Sequence, residues 1–252
     1  MPQSVDRALD LLDAVAASPG PVPAKVLARR LGCGLSTAYE LLGSLTARGH
    51  LVRTPGGYAL GYRTPELHRS FRRQMRLGDE VQELLVRARR TAGADTYYSA
   101  YRDGDIAVLA GATAADPPTG GFGTGQDDAA HATAHGKVLL AALPRAARHR
   151  YLDAAGMRAL TPRTITSPEH LDAQLAGVRR EGVAVEIEES AAGVACVAVR
   201  VPVRGALTAV SAALPLADFR RRGPAVAEAL RQVAAEVASF PNAADISPST
   251  DG

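Results

Sequence analysis

Between Ser36 and Arg48 the chain sets Ser36, Thr37, Tyr39, Glu40, Ser44 and Arg48 at spacings that share the polar side of one helix. Such side chains can read base edges in a DNA groove: hydroxyls bond either way, and a glutamate accepts from a cytosine amine. Thr37 and Glu40 also form the Thr-x-x-Glu pattern of a capping box. Sequence alone leaves Glu40 open between these two uses. A second constellation is His131 and His135, four apart as two metal ligands on one helix face would be, with Glu186 or Cys196 as a third ligand. The pair lacks the His-Glu-x-x-His glutamate of metalloproteases, and lone histidine pairs rarely bind metal, so no metal is assigned. The run from Gly120 to Gly125 is glycine-rich but fits neither GxGxxG nor GxxxxGK[ST], and reads as a mobile loop. No Gly-x-Ser-x-Gly elbow and no acid–base constellation appears, so no catalytic residue and no cofactor is assigned.

The elements around Ser36–Arg48 must hold that polar face outward. Ala38, Leu41, Leu42 and Leu45 recur at helical spacing and form its apolar stripe. Gly32 and Gly34 suit a tight turn before the helix, and Gly49 stops it. Upstream, Pro23–Leu31 reads as a short helix with proline near its first position. Two helices joined by a glycine turn make a helix-turn-helix whose second helix enters the major groove. Leu51–Leu60 reads as two short strands around Pro55-Gly56-Gly57, which adds a wing. Lys25, Arg48 and Arg53 would hold phosphates. A first helix over 4–17 packs its Val5, Leu9, Leu12 and Val15 side on this pair.

The 252 residues suit two domains, and a hydrophobic content of 46% is ample for buried cores. Residues 1–90 hold 14 Lys and Arg against 8 Asp and Glu; residues 91–252 hold 15 against 18. A basic first third and a mildly acidic remainder fit one part that faces phosphate and one that does not. Cys33 and Cys196 fit no zinc spacing and suit a reducing cytoplasm. No apolar run is long enough to span a bilayer, so no membrane is implied.

Beyond the wing, 65–76 and 79–90 read as a connecting helical region. Thr96–Tyr101 and Ile106–Ala110 flank an Asp103-Gly104 turn and form a hairpin. Helices are expected over 131–143, 145–155 and 168–181, strands over 183–188, 195–203 and 207–214, and a final amphipathic helix over 223–239. In Val183–Glu188 apolar and acidic residues alternate, as in a strand with one wet face. The organisation is a winged helix-turn-helix over 1–62, a linker over 63–90, an α+β domain over 91–240 and a disordered tail over 241–252.

This order resembles the IclR family of bacterial transcriptional regulators. The resemblance is carried by Val5–Leu12, Leu35-Ser36-Thr37, Tyr58–Gly61, His131–Ala141, Leu160–Thr166, Val178–Val185 and Glu188–Ala198. It implies an N-terminal winged helix-turn-helix, a linker helix and a GAF/PAS-like effector-binding domain. It further implies a cytoplasmic dimer or tetramer, more often a repressor, whose binding to a palindromic DNA operator is altered by a small organic metabolite. Ala134, His135, Gly136, Glu186, Cys196 and Ser211 fall on or near pocket-lining family positions. His135 and Glu40 depart from the family's usual residues. Glu186 would repel a carboxylate, which leaves an amine or hydroxyl-bearing effector open. Two other readings stay in play: an enzyme joined to a helical module, and a DNA-binding protein whose second domain only oligomerises.

Overall fold

The computed structural model describes residues 3–75, 77–115, 118–119, 123–203 and 205–239; the expected tail and residues 120–122 of the glycine-rich run lie outside them. The chain divides into two compact units, the first ending at Met75.

The first unit contains α1 (Gln3–Ala16), α2 (Ala24–Arg30), α3 (Leu35–Ala47), β1 (Leu51–Thr54), β2 (Gly57–Leu60) and α4 (Arg63–Gln74). Its core gathers Leu11 and Val15 from α1, Leu27 from α2, Leu42 from α3, and Leu51 and Tyr58 from the strands. These are the apolar positions of three amphipathic helices and the inward residues of a two-stranded ribbon, so one core fixes both helix pair and wing. The wing is tied to the segment before α2: Val22 and Tyr58 exchange backbone hydrogen bonds of 2.8 and 2.9 Å. Gly57 makes that approach possible. Its φ is +133°, and a Cβ there would lie 2.4 Å from the Val22 carbonyl.

The second unit is a six-stranded antiparallel sheet in the order β5-β4-β3-β8-β7-β6. Its strands are β3 (Asp95–Arg102), β4 (Asp105–Ala112), β5 (Gly125–Gln126), β6 (Val183–Ile187), β7 (Val194–Val201) and β8 (Leu207–Pro215). The β3–β4 hairpin turns through Asp103 and Gly104, with φ of 52° and 100°, the positive values a two-residue turn demands. Across one face lie α5 (Asp79–Ala92) and α9 (Leu216–Ala238). α6 (Ala134–Ala142), α7 (Arg145–Ala155) and α8 (Pro168–Glu181) build the core over the other.

Four elements differ from expectation. α1 buries Leu11 and Val15, while Val5 and Leu9, expected on its packed side, are exposed. α5 packs Val81, Leu84, Leu85 and Ala88 into the second unit, against β3, β4 and α9. Arg222 of α9 caps its end, donating to the Ala92 and Gly93 carbonyls at 2.6 and 2.8 Å. The last helix begins at Leu216, seven residues early, and runs through Pro224. Asp218 sits in its first turn and pairs with Arg221 and Arg222, which supports the extra turns. α6 begins at Ala134 and not at His131, because the Thr133 hydroxyl accepts from Gly136 N and starts the helix there.

Replacing Gly57 by Ala should lower stability by about 1–3 kcal/mol, through positive φ and the Val22 clash together. Urea unfolding followed by tyrosine fluorescence and circular dichroism measures this. A Gly56→Ala control, whose Cβ meets nothing closer than Pro21 at 3.4 Å, should change little.

Candidate nucleic-acid interface and buried polar site

α2 and α3 are joined by Leu31–Gly34, where Gly32 takes φ of +60°. Gly34 is the residue before the first turn of α3, so Thr37 lies inside the helix and caps nothing. The Thr37–Glu40 capping box is therefore not formed; the glycine turn sets the helix start one turn-fraction earlier than that pattern requires. α3 buries Ala38 and Leu42. Ser36, Tyr39, Glu40, Ser44 and Arg48 are exposed and Thr37 is half-buried, while Lys25 on α2 and Arg53 on β1 are exposed as well. Tyr39, at 49% exposure, is a large ring left in solvent on the helix's outer side. The three basic side chains thus flank a face of hydroxyls, a phenol and one carboxylate. Bases can be read by such groups, and phosphates held by such cations.

The second unit carries a different chemistry. Thr133, His135, Lys137, Glu186, Glu189 and Ser211 are all buried. Lys137 stands in a helix whose neighbours Val138, Leu139, Leu140 and Ala141 are core residues, and it is wholly inaccessible. Its ammonium donates to Glu189 Oε1. Burial pulls the ammonium's pKa below the usual lysine value, against the upward pull of Glu189 and Glu186.

Glu189 reaches that position on the β6–β7 turn, which is tied down from two sides. Glu186 Oε2 accepts from Glu189 N at 2.9 Å, and Glu186 Oε1 accepts from Ser190 Oγ at 2.7 Å. From outside the turn, the Thr161 hydroxyl donates to the Glu188 carbonyl at 2.6 Å and the Thr164 hydroxyl to the Glu189 carbonyl at 2.7 Å.

Glu186 is therefore not on a wet face. β6 turns Ala184 and Glu186 inward and leaves Val185 and Ile187 partly exposed, the reverse of what its alternation suggests. Its carboxylate lies beside Cys196, its partner across β7. Burial pushes the Cys196 thiol well up and the adjacent carboxylate adds to it, so the group is a small buried hydrophobe. Along the same sheet face stand Ala198, Ser211 and Tyr97 in register, with Ala213 and Asp95 one row away. Asp95 accepts from Ala114 N and Thr119 N at 2.7 and 2.8 Å. Burial, then Asp95 and Cys196, raise the Tyr97 phenol. Small residues form most of this floor beneath α6.

At the start of α6, Asp127 Oδ2 accepts from His135 Nε2 and from the Thr133 hydroxyl, each at 2.8 Å. Tyr151 donates to its carbonyl at 2.7 Å. His131 is not on α6: it lies in the preceding turn and donates from Nε2 to the Arg158 carbonyl at 3.0 Å. The two histidines thus point to different partners, and among the described residues no group of three or more potential ligands could hold a metal. Gly136 packs its backbone on the preceding turn, where a Cβ would fall 2.2 Å from the Ala130 carbonyl.

All six expected effector residues are buried: Ala134, His135 and Gly136 in the first turn of α6, and Glu186, Cys196 and Ser211 on strands of the sheet. Sequence reasoning missed Lys137, Glu189, Asp127 and Asp95. The available signal was a lysine inside an otherwise apolar helical run.

Replacing Asp127 by Asn tests the anchor of this layer. Burial raises the Asp127 carboxyl, but hydrogen bonds and charge from His135, then Thr133 and Ala129 N, more than reverse this, leaving it below the usual value. Its stabilisation is complete above about pH 4, the unfolded range for aspartate, and is lost as the pH falls through the folded value. Asp127→Asn should cost about 1–3 kcal/mol at neutral pH and flatten the acid limb of the stability curve, measured by urea unfolding from pH 7 to 3.

Comparison with known proteins places both units. The bacterial transcriptional regulator IclR C-terminal family matches residues 82–239, and the IclR helix-turn-helix domain matches residues 4–55. The chain is 32% identical to the HTH-type transcriptional regulator XynR of Escherichia coli, over 87% of each chain. It is 32% identical to the HTH-type transcriptional regulator Rv1719 of Mycobacterium tuberculosis, over 90% of this chain and 88% of that one. A transcriptional regulator from Rhodococcus sp. RHA1 superposes with a TM-score of 0.75 at 26% identity, covering 94% of this chain and 97% of its own. An IclR homolog from Microbacterium hydrocarbonoxydans, solved with 4-hydroxybenzoate, superposes with a TM-score of 0.73 at 21% identity, over 94% of this chain and 98% of that one.

Proposed function

The chain belongs to the IclR family of bacterial transcriptional regulators, and from that premise we propose that it is a repressor whose hold on a palindromic operator is set by a small organic effector. Its relatives are regulators and not enzymes. Among the described residues no helix is long and apolar enough to cross a membrane. We assign it to the cytoplasm, where its DNA is.

The observation that carries the reading is the pairing of an exposed polar α3 with a buried polar layer in the second unit. Ser36, Tyr39, Glu40 and Ser44 are placed to read bases; Lys25, Arg48 and Arg53 are placed to hold phosphates. Two copies of α3 in a dimer or tetramer would meet half-sites one helical turn, or a multiple, apart. Ala134, His135, Gly136, Cys196 and Ser211 line the effector site between α6 and the sheet. Glu186 supports that site from below by holding the β6–β7 turn. The Microbacterium homolog holding 4-hydroxybenzoate supports the use of this fold for small ligands.

Single substitutions separate the two classes of DNA contact. Tyr39→Ala and Glu40→Ala should each lose about 1–3 kcal/mol on the operator and little on a scrambled duplex. Arg53→Ala should weaken both duplexes alike and reduce the salt slope by about one per protomer. Fluorescence anisotropy across a salt series measures both. Equal loss on both duplexes for all three variants would remove α3 from base reading.

A further inference from the structure

α4 carries four arginines, Arg63, Arg69, Arg72 and Arg73, against one carboxylate, Glu66, and none of its residues is buried. Glu66 is engaged by Arg63 at 2.8 Å. Arg69 and Arg73 are exposed. Arg73 donates to the Ser70 hydroxyl at 3.0 Å. The two arginines are four residues apart, so they form a like-charge pair that weakens a helix until an anion lies over it.

Arg69 and Arg73 share their side of α4 with a third group. Tyr62 precedes the first turn, stands seven residues before Arg69 and is 83% exposed. The apolar Leu67 and Phe71, with Thr64, recur on the opposite side. One side of the helix thus presents two guanidinium groups and a phenol to solvent, donors of the kind that hold phosphate oxygens without reading sequence.

The start of α4 is fixed against the end of α3. The Gly61 amide donates to the His50 carbonyl at 2.8 Å, and the Arg63 amide to the Gly49 carbonyl at 3.0 Å. The approach is close enough that a Cβ on Gly61 would lie 2.2 Å from the Gly49 oxygen. Arg48, at the end of α3, adjoins this junction. A helix rises about 1.5 Å per residue, so Arg69 and Arg73 lie about 9 and 15 Å along α4 from Arg63. Their own separation along the axis, about 6 Å, is close to the rise of two phosphates on one DNA strand. α4 belongs to the same compact unit as Lys25, Arg48 and Arg53, and adds to their positive charge. That continuity favours DNA over an acidic protein surface as what this side meets.

We propose that Tyr62, Arg69 and Arg73 of α4 make a second contact to the DNA backbone, outside the groove that α3 enters. This rests on the reading of the first unit as DNA-binding. It adds that the connecting helix supplies affinity without sequence preference, while α3 supplies the preference.

The test is fluorescence anisotropy with the full chain across a potassium chloride series, on a fragment from upstream of its own gene and on a scrambled duplex. The double variant Arg69→Ala with Arg73→Ala should lower the slope of log affinity against log salt by about two per protomer on both duplexes, and leave the ratio of the two affinities unchanged. Alanine is the best helix former and both positions are exposed, so the melting temperature should hold. Arg69→Lys with Arg73→Lys keeps the charges and should keep the slope, which separates lost charge from a damaged helix. Arg220→Ala with Arg231→Ala removes the same charge from exposed positions of α9 and should leave the slope as it is. An unchanged slope in the α4 alanine pair overturns the inference and leaves α4 a solvated connector; so does an equal drop in the α9 pair, or a drop confined to the upstream fragment. In each of these outcomes the wild-type preference for the upstream fragment stands. Loss of that preference in the wild type itself is failure of base reading by α3, and shows without any variant.

Discussion

A lysine ammonium inside a protein needs an anion at its side, and the second unit is arranged to deliver one. Lys137 lies in the middle of an apolar helix, so α6 can pack on the sheet only where a carboxylate waits for it. That carboxylate is Glu189, carried by a turn and not by a regular element. The turn is held in turn by Glu186 from the strand before it and by the Thr161 and Thr164 hydroxyls from a separate loop. Three segments distant in sequence are thereby fixed around one charge. The same requirement explains why an edge strand points a glutamate inward and leaves Val185 and Ile187 partly exposed.

Such a layer is well suited to sensing. Its hydrogen bonds are buried, where each is strong and each unmade one is expensive. A small molecule that completes them gains much from few contacts. The first unit works by the opposite rule. Its polar and basic groups, from Lys25 to Arg53, are in solvent, where cations of this kind can hold a highly charged polymer. One chain therefore holds an exposed polar and basic face and a buried polar layer, each built on its own core.

The sequence made much of this frame legible. Gly49 and Gly182 end helices as C′ glycines should, the Asp103-Gly104 pair turns the hairpin, and the glycine turn before α3 begins the second helix of the pair. What it did not disclose follows from physical ambiguity. A period-two pattern says that a strand has two faces but not which is buried, so Glu186 reads as wet until α6 is seen above it. A spacing of four puts two histidines together only if both are helical; the Thr133 cap starts α6 between them. Lysine is a surface residue by default, so Lys137 attracts no notice until its partner, fifty-two residues on, is in place. The same holds for α5, whose apolar stripe shows that it packs but not on what.

Specific recognition of DNA is what the proposed function requires, and one titration decides it. Full-length protein is added to a labelled fragment from upstream of its own gene and to a scrambled duplex of equal length, at two salt concentrations. A preference for the upstream fragment should persist at the higher salt, because base contacts survive screening that weakens phosphate contacts. Equal affinity for both duplexes, lost together as salt rises, would contradict it and leave the first unit only a basic surface.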